Sequence, residues 1–173
     1  MGRYATSIAL TLLLLAGSAA HALDRANMSV SAIVPQMIHL ELDAGELVFE
    51  PEDFDYIMGT AERTKTGVVA TKKRALLATV SGNVPYTLLI SAPEEYFFGQ
   101  RGGLIHISQL RWRLPPDSDV EAWKEITLER RPVMSGPPGV AEVTFDFQLI
   151  ATWENPAETY TGEILLTVVP DNP

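Results

Sequence analysis

Cysteine is absent from all 173 residues. Its absence excludes disulfide staples, zinc–thiolate sites, thiol nucleophiles and dithiol redox chemistry together. Histidine is scarce, with only His21, His39 and His106. No Gly-x-Ser-x-Gly elbow occurs, so the strained nucleophile turn of an α/β-hydrolase is missing. Cations are in short supply: 13 Lys and Arg stand against 22 Asp and Glu, for a net charge of −9. That sign argues against nucleic acid and against an anionic membrane surface as partners. After residue 22 no apolar run approaches the roughly 20 residues that span a bilayer. The mature chain is therefore read as not integral to a membrane.

What is present begins with a leader. Arg3 and the amino terminus give a positive start, residues 8–16 are apolar except Thr11, and Ala20-His21-Ala22 offers small residues where a signal peptidase reads. This is the layout of a secretory signal peptide cleaved after Ala22. Removing 22 of the 173 residues leaves 151, one ordinary domain, and the net charge moves to −10 because Arg3 is the leader's only charge. A domain of that size buries roughly 68–70% of its unfolded surface and holds together without staples. The chain therefore divides into 1–22, signal peptide, and 23–173, a single domain without linker or internal repeat.

Period-two alternation dominates the mature part. Met28, Val30, Ala32 and Val34 fall on one face with Ser29 and Ser31 on the other, which predicts a half-buried first strand. Extended runs follow at 37–43, 47–49, 74–80, 86–92 and 104–113, with a polar loop over 58–67. The Ser81-Gly82-Asn83 turn ends the 74–80 run and predicts a hairpin or near-hairpin with 86–92 around Gly82 to Pro85. Residues 94–103 read as a loop. Residues 117–131 fit a strand or a helix, since Ser118 and Glu121 make a candidate capping box, and strand is preferred because every neighbour is a strand. After the break Ser135-Gly136-Pro137-Pro138-Gly139 comes the clearest strand, with Val143, Phe145, Phe147, Leu149, Ala151 and Trp153 on one face. A last strand runs over 162–169. About eight short strands with regular turn signals predict an all-β chain, a single antiparallel Ig-like β-sandwich.

Candidate sites weigh little against this pattern. Glu50, Glu52, Asp53 and Asp55 are the weak metal candidates, but they lack the spacing of a defined calcium loop. A solvated acidic loop is the simpler reading, and a hydrolase using those carboxylates is a distant rival. His39 and His106 sit in alternating runs, as ordinary sheet histidines do. Trp112, Trp123 and Trp153 are expected to fill the core between sheets. Tyr96, Phe97 and Phe98 form either a buried plug or an exposed contact patch. Lys72, Lys73 and Arg74, with Arg63 and Lys65, could serve head-to-tail association with the acidic loop of another copy, but blunting an edge strand is the preferred reading. No catalytic constellation and no cofactor site is read.

Two stretches carry a resemblance. Trp153-Glu154-Asn155-Pro156-Ala157-Glu158-Thr159-Tyr160-Thr161-Gly162-Glu163-Ile164-Leu165-Leu166-Thr167-Val168 resembles the ending of bacterial secreted Ig-like and pilin-like sandwiches. Val80-Ser81-Gly82-Asn83-Val84-Pro85-Tyr86-Thr87-Leu88 is similar to a segment of spore-coat-U-type and related fimbrial-like domains. The resemblance covers under a quarter of the mature chain and carries over no functional residue. It implies an envelope or surface location and a non-enzymatic role. Pilins of the chaperone–usher class usually carry a disulfide, which this chain lacks. Their N-terminal donor strand completes a neighbour by β-augmentation. Residues 29–34 alternate as such a strand does, and equally as the first strand of a closed sandwich, which is the preferred reading.

The expected function is thus that of an exported structural or adhesive envelope protein without cofactor, acting through a strand edge or loop and associating with itself or an envelope partner. The partner-binding candidates are Val30, Ala32, Val34, Tyr96, Phe97 and Phe98. A monomeric carbohydrate- or ligand-binding module is the alternative, favoured if the aromatic patch is exposed beside polar groups.

Overall fold

The structure, a computed structural model, describes residues 29–56, 67–115 and 123–171. The chain forms two compact units, Met1–Val34 and Pro35–Pro173. In the first, the described residues 29–34 adopt no regular secondary structure and all are exposed. The half-buried strand predicted over 28–34 is therefore corrected for these six residues. Alternation alone makes no strand where no neighbouring edge satisfies the backbone hydrogen-bonding groups.

The second unit is all-β and antiparallel. Its largest sheet holds β1 (Ile38–Leu42), β2 (Phe54–Tyr56), β3 (Gly67–Gly82), β7 (Leu110–Arg113), β8 (Lys124–Glu125) and β10 (Gly139–Thr152). The order is β1-β3-β10-β7-β8, with β2 also paired to β3. A three-stranded sheet has β4 (Tyr86–Ser91) between β12 (Leu165–Pro170) and β9 (Arg131–Gly136). A second has β5 (Tyr96–Gly99) between β11 (Tyr160–Thr161) and β6 (Leu104–His106). The arrangement is that of a β-sandwich.

The spine is the long β3–β10 ladder, from Gly139 opposite Gly82 to Thr152 opposite Gly67. Its inward face carries Leu76, Ala78 and Val80 on one strand and Val143, Phe145 and Phe147 on the other. Tyr86, Leu88 and Ile90 of β4 join the same core, as does the fully buried Trp112 of β7. Trp112 and Phe145 have ring centroids 5.9 Å apart, as do Phe145 and Phe147, which stack. Each such ring contributes about 1.5–3 kcal/mol by leaving water. Of the inward residues predicted for this strand, Val143, Phe145 and Phe147 are buried, Leu149 and Ala151 are half-buried, and Trp153 lies past its end and is 69% exposed.

Four sequence expectations are corrected by sheet assignment. Gly82 and Asn83 join β3 and β4, yet these strands lie in different sheets, so the turn is a corner and not a hairpin. Asn83 locks that corner: its Oδ1 accepts from the Met37 N–H at 2.8 Å, and its Nδ2 donates to the Pro35 carbonyl at 2.8 Å. The single strand predicted over 104–113 is cut by a 3-10 turn, Ile107–Gln109, which sends β6 and β7 to separate sheets. The 47–49 run forms no strand. The 94–103 loop contains strand β5. Of the ambiguous 117–131 segment, 117–122 lie outside the described residues; the rest supplies β8 and the buried Ile126.

Candidate functional site

The β5–β6 hairpin separates two kinds of aromatic. Tyr96, Phe97 and Phe98 pair with His106, Ile105 and Leu104 respectively. Because strand side chains alternate, Phe97 and Ile105 turn inward and are 8% and 3% exposed. Phe98 turns outward with Leu104, and they are 52% and 46% exposed. Tyr96 shares that outer face, its ring edge-on to His106 at 5.3 Å. Plug and patch are therefore both realised, one residue apart. Beside Tyr96 and Phe98 an open cleft is bordered by the carboxyl-bearing residues Glu94 and Glu163.

On the other side of the 161–163 segment lies an open slot of about 460 Å3 with apolar and polar lining in similar measure. Its walls include Leu47, Phe49, Phe97, Ile105, Leu149 and Ile164, with Glu46 and Glu163 the only charged residues among the described ones that line it. Glycine is needed at position 162, where a Cβ would collide with the Phe97 ring. Segment 160–164 can thus lie directly against the Phe97 wall.

The neighbouring turn is held by a carboxylate from 55 residues away. Glu158 Oε1 accepts the Gly103 N–H at 2.7 Å, and Oε2 accepts the Arg101 N–H. The Arg101 guanidinium donates to the Ala157 carbonyl. A Cβ at Gly99 or Gly103 would overlap the Glu158 carboxyl. Next to it the Tyr160 hydroxyl donates to the Pro156 carbonyl at 2.7 Å. Desolvation, and then the Glu158 charge, raise the Tyr160 pKa above 10.0, with Arg101 opposing.

The acidic loop is dispersed in its engagements. Pro51–Asp53 form a 3-10 turn in which Asp53 Oδ2 accepts the Glu50 N–H at 2.8 Å. Lys72 Nζ lies 2.6 Å from the same carboxylate, and this contact above all holds the Asp53 pKa below 3.8. Asp55 pairs in β2 with Val69. No group of three or more potential metal ligands occurs among the described residues. Lys72, Lys73 and Arg74 lie on an inner strand, but β2 pairs with β3 only at 68–70 and β1 only at 78–82, so among the described residues this stretch has a strand partner on the β10 side alone. They sit at an irregularity where Lys73, Arg74 and Ala75 oppose the single residue Asp146.

Asp146, which alternation places on the face of β10 opposite Phe145 and Phe147, is nevertheless 3% exposed. It accepts the Arg74 N–H at 2.8 Å and the Arg113 Nε at 3.0 Å, and Arg113 lies over the Trp123 ring at 4.5 Å. His39 is exposed on β1. Ser108 Oγ is 2.7 Å from His106 Nδ1, and His106 Nε2 is 3.5 Å from Glu95 Oε1. The Ser108 backbone N–H already donates to that Nδ1 at 3.2 Å, so the group caps a 3-10 turn. Glycines at 102 and 103 signal a turn in the sequence. Nothing local signals Glu158, Asp146 or the slot, whose parts are distant in the chain.

Val30, Ala32 and Val34 belong to the first unit, and Tyr96, Phe97 and Phe98 to the second. No helix among the described residues is long and apolar enough to cross a membrane. No protein-family model matches the chain, and no curated protein sequence matches it.

Proposed function

We propose that this is an exported, non-enzymatic structural or adhesive protein of a bacterial cell envelope, an Ig-like sandwich that acts through strand-edge and loop contacts. Its leader directs it to the periplasm, cell surface or medium. The observation that carries the reading is the state of residues 29–34. Val30, Ile33 and Val34 are 80%, 96% and 69% exposed, and no strand includes them. An alternating apolar segment left in that state is suited to adding a strand to a sheet edge of a second copy or an envelope partner. The native size and cell fraction of the protein, extracted gently from its own envelope, test this. A large assembly that falls to single chains when 28–34 are deleted is the expected result; a free monomer overturns it.

A second reading, a ligand-binding module, is favoured by the outer face of β5 and β6. There the exposed Phe98 and Leu104 and the part-exposed Tyr96 stand beside Glu94 and Thr161. Solvent-exposed aromatics bordered by polar groups suit a small ligand or a sugar.

A further inference from the structure

The slot beside segment 160–164 has a chemistry of its own. Its volume of about 460 Å3 lies within the roughly 300–1,000 Å3 of small-molecule sites. Its walls come from the 45–49 segment, β5, β6, the Leu110 end of β7, β10 and the 160–164 segment. Phe97, Ile105 and Leu110 are themselves core residues. These walls therefore belong to the packed interior, and an apolar group entering the slot would leave water against a preformed surface.

The polar groups at the slot are one-sided. Glu46 and Glu163 are exposed, and neither forms an ion pair among the described residues. Among the described residues no Lys, Arg or His lines the slot. Groups that would serve an anion are engaged elsewhere: the Tyr160 hydroxyl donates to Pro156, and Arg101 is tied to Ala157 and Glu158. A ligand carboxylate would meet two like charges with no cationic side chain among the described lining residues to offset them. A ligand ammonium would meet two opposite charges while its apolar body filled the slot.

We propose that this slot binds an amphiphilic organic cation, a molecule with an apolar chain or ring and a positively charged head. The apolar part lies against Phe97, Ile105 and Leu149, and the head sits between the slot and water near Glu46 and Glu163. This assignment does not rest on the envelope reading, because an assembling subunit and a monomer would carry the same slot.

Three probes with one eight-carbon chain separate charge from apolarity: octyltrimethylammonium, 1-octanol and octanoate. Each is titrated into the purified protein at neutral pH and low salt, below its micelle-forming concentration, while the amide resonances of Gly45 and Gly162 are followed. The expected result is saturable movement of both resonances by the cation. Its affinity should exceed that of octanoate by about tenfold or more, with octanol between, since two screened carboxylates act on the head group. In a double variant, Glu46→Gln with Glu163→Gln, the cation should fall to within about threefold of octanol while octanol is unchanged. Both glutamates are exposed, so the variant retains the fold. Octanoate binding as tightly as the cation, movement confined to resonances away from the slot, or no saturable binding of the cation overturns the proposal.

Discussion

Asp146 on β10 accepts the backbone N–H of Arg74 on β3 at 2.8 Å, in the middle of the longest ladder of the fold. Three residues of β3 stand against one of β10 there, and Arg74 takes a positive φ of 51°. The carboxylate satisfies the amide that the interrupted ladder leaves without a strand partner, and its other oxygen takes the Arg113 Nε. Backbone irregularity and buried charge are thus one feature.

Removal of either half of that feature has opposite signs. Asp146→Ala leaves the part-buried Arg113 guanidinium and the Arg74 amide unpaired, and should cost about 3–5 kcal/mol in chemical denaturation. Arg74→Gly relieves the left-handed backbone of an exposed side chain and should stabilise by about 0.5–1 kcal/mol. A destabilising Arg74→Gly would mean that its side chain matters more than its backbone.

The hairpin offers a matched pair one residue apart. Phe97→Ala should cost about 3 kcal/mol or more, because a core ring is lost and a cavity left. Phe98→Ala should stay within about 0.5 kcal/mol, as surface substitutions do. Thermal or urea unfolding of the two variants side by side reads the difference.

Glu158→Gln keeps the shape of the side chain but removes the charge that two backbone N–H groups share. Amide exchange at Arg101 and Gly103 should speed up by about tenfold, the equivalent of roughly 1.4 kcal/mol in local opening. Gly103→Ala should do the same by displacing the carboxyl, while amides of the β3–β10 ladder keep their protection.

The pH dependence of stability has two marked ends. Asp53 has a folded pKa below 3.8, so its contribution is present above that value and is lost as pH falls through the lower, folded one. Lys72→Met should flatten the stability curve below pH 3.8. Tyr160 has a folded pKa above 10.0, so its contribution is present below pH 10.0 and is lost as pH rises through the folded value. Tyr160→Phe should remove that alkaline loss, read by denaturant titrations across the range.

The strands most legible in the sequence were those whose alternation is local and one-sided. Val143, Phe145 and Phe147 declare an inward face without knowledge of any partner, because strand side chains point to opposite faces in turn. Met28, Val30, Ala32 and Val34 show the same pattern, yet the described part of that run joins no strand. Period two states a capacity for pairing and says nothing about whether an edge is there to receive it.

From composition and alternation alone followed the absence of thiol chemistry, the acidic charge, the all-β class and the inward residues of β10. These depend on residue identity and on spacing of a few positions. Tertiary structure alone decided that β3 and β4 part at Asn83 and that β6 and β7 part at Ile107–Gln109. It likewise decided that Glu158 seats in the 99–103 turn, that Asp146 answers Arg74, and that Phe97 walls a slot with Leu47 and Ile164. Those contacts join residues from 50 (Leu47 to Phe97) to 72 (Arg74 to Asp146) positions apart. Pairings of that kind depend on which sheet edges meet when the chain collapses, and no local periodicity encodes the choice.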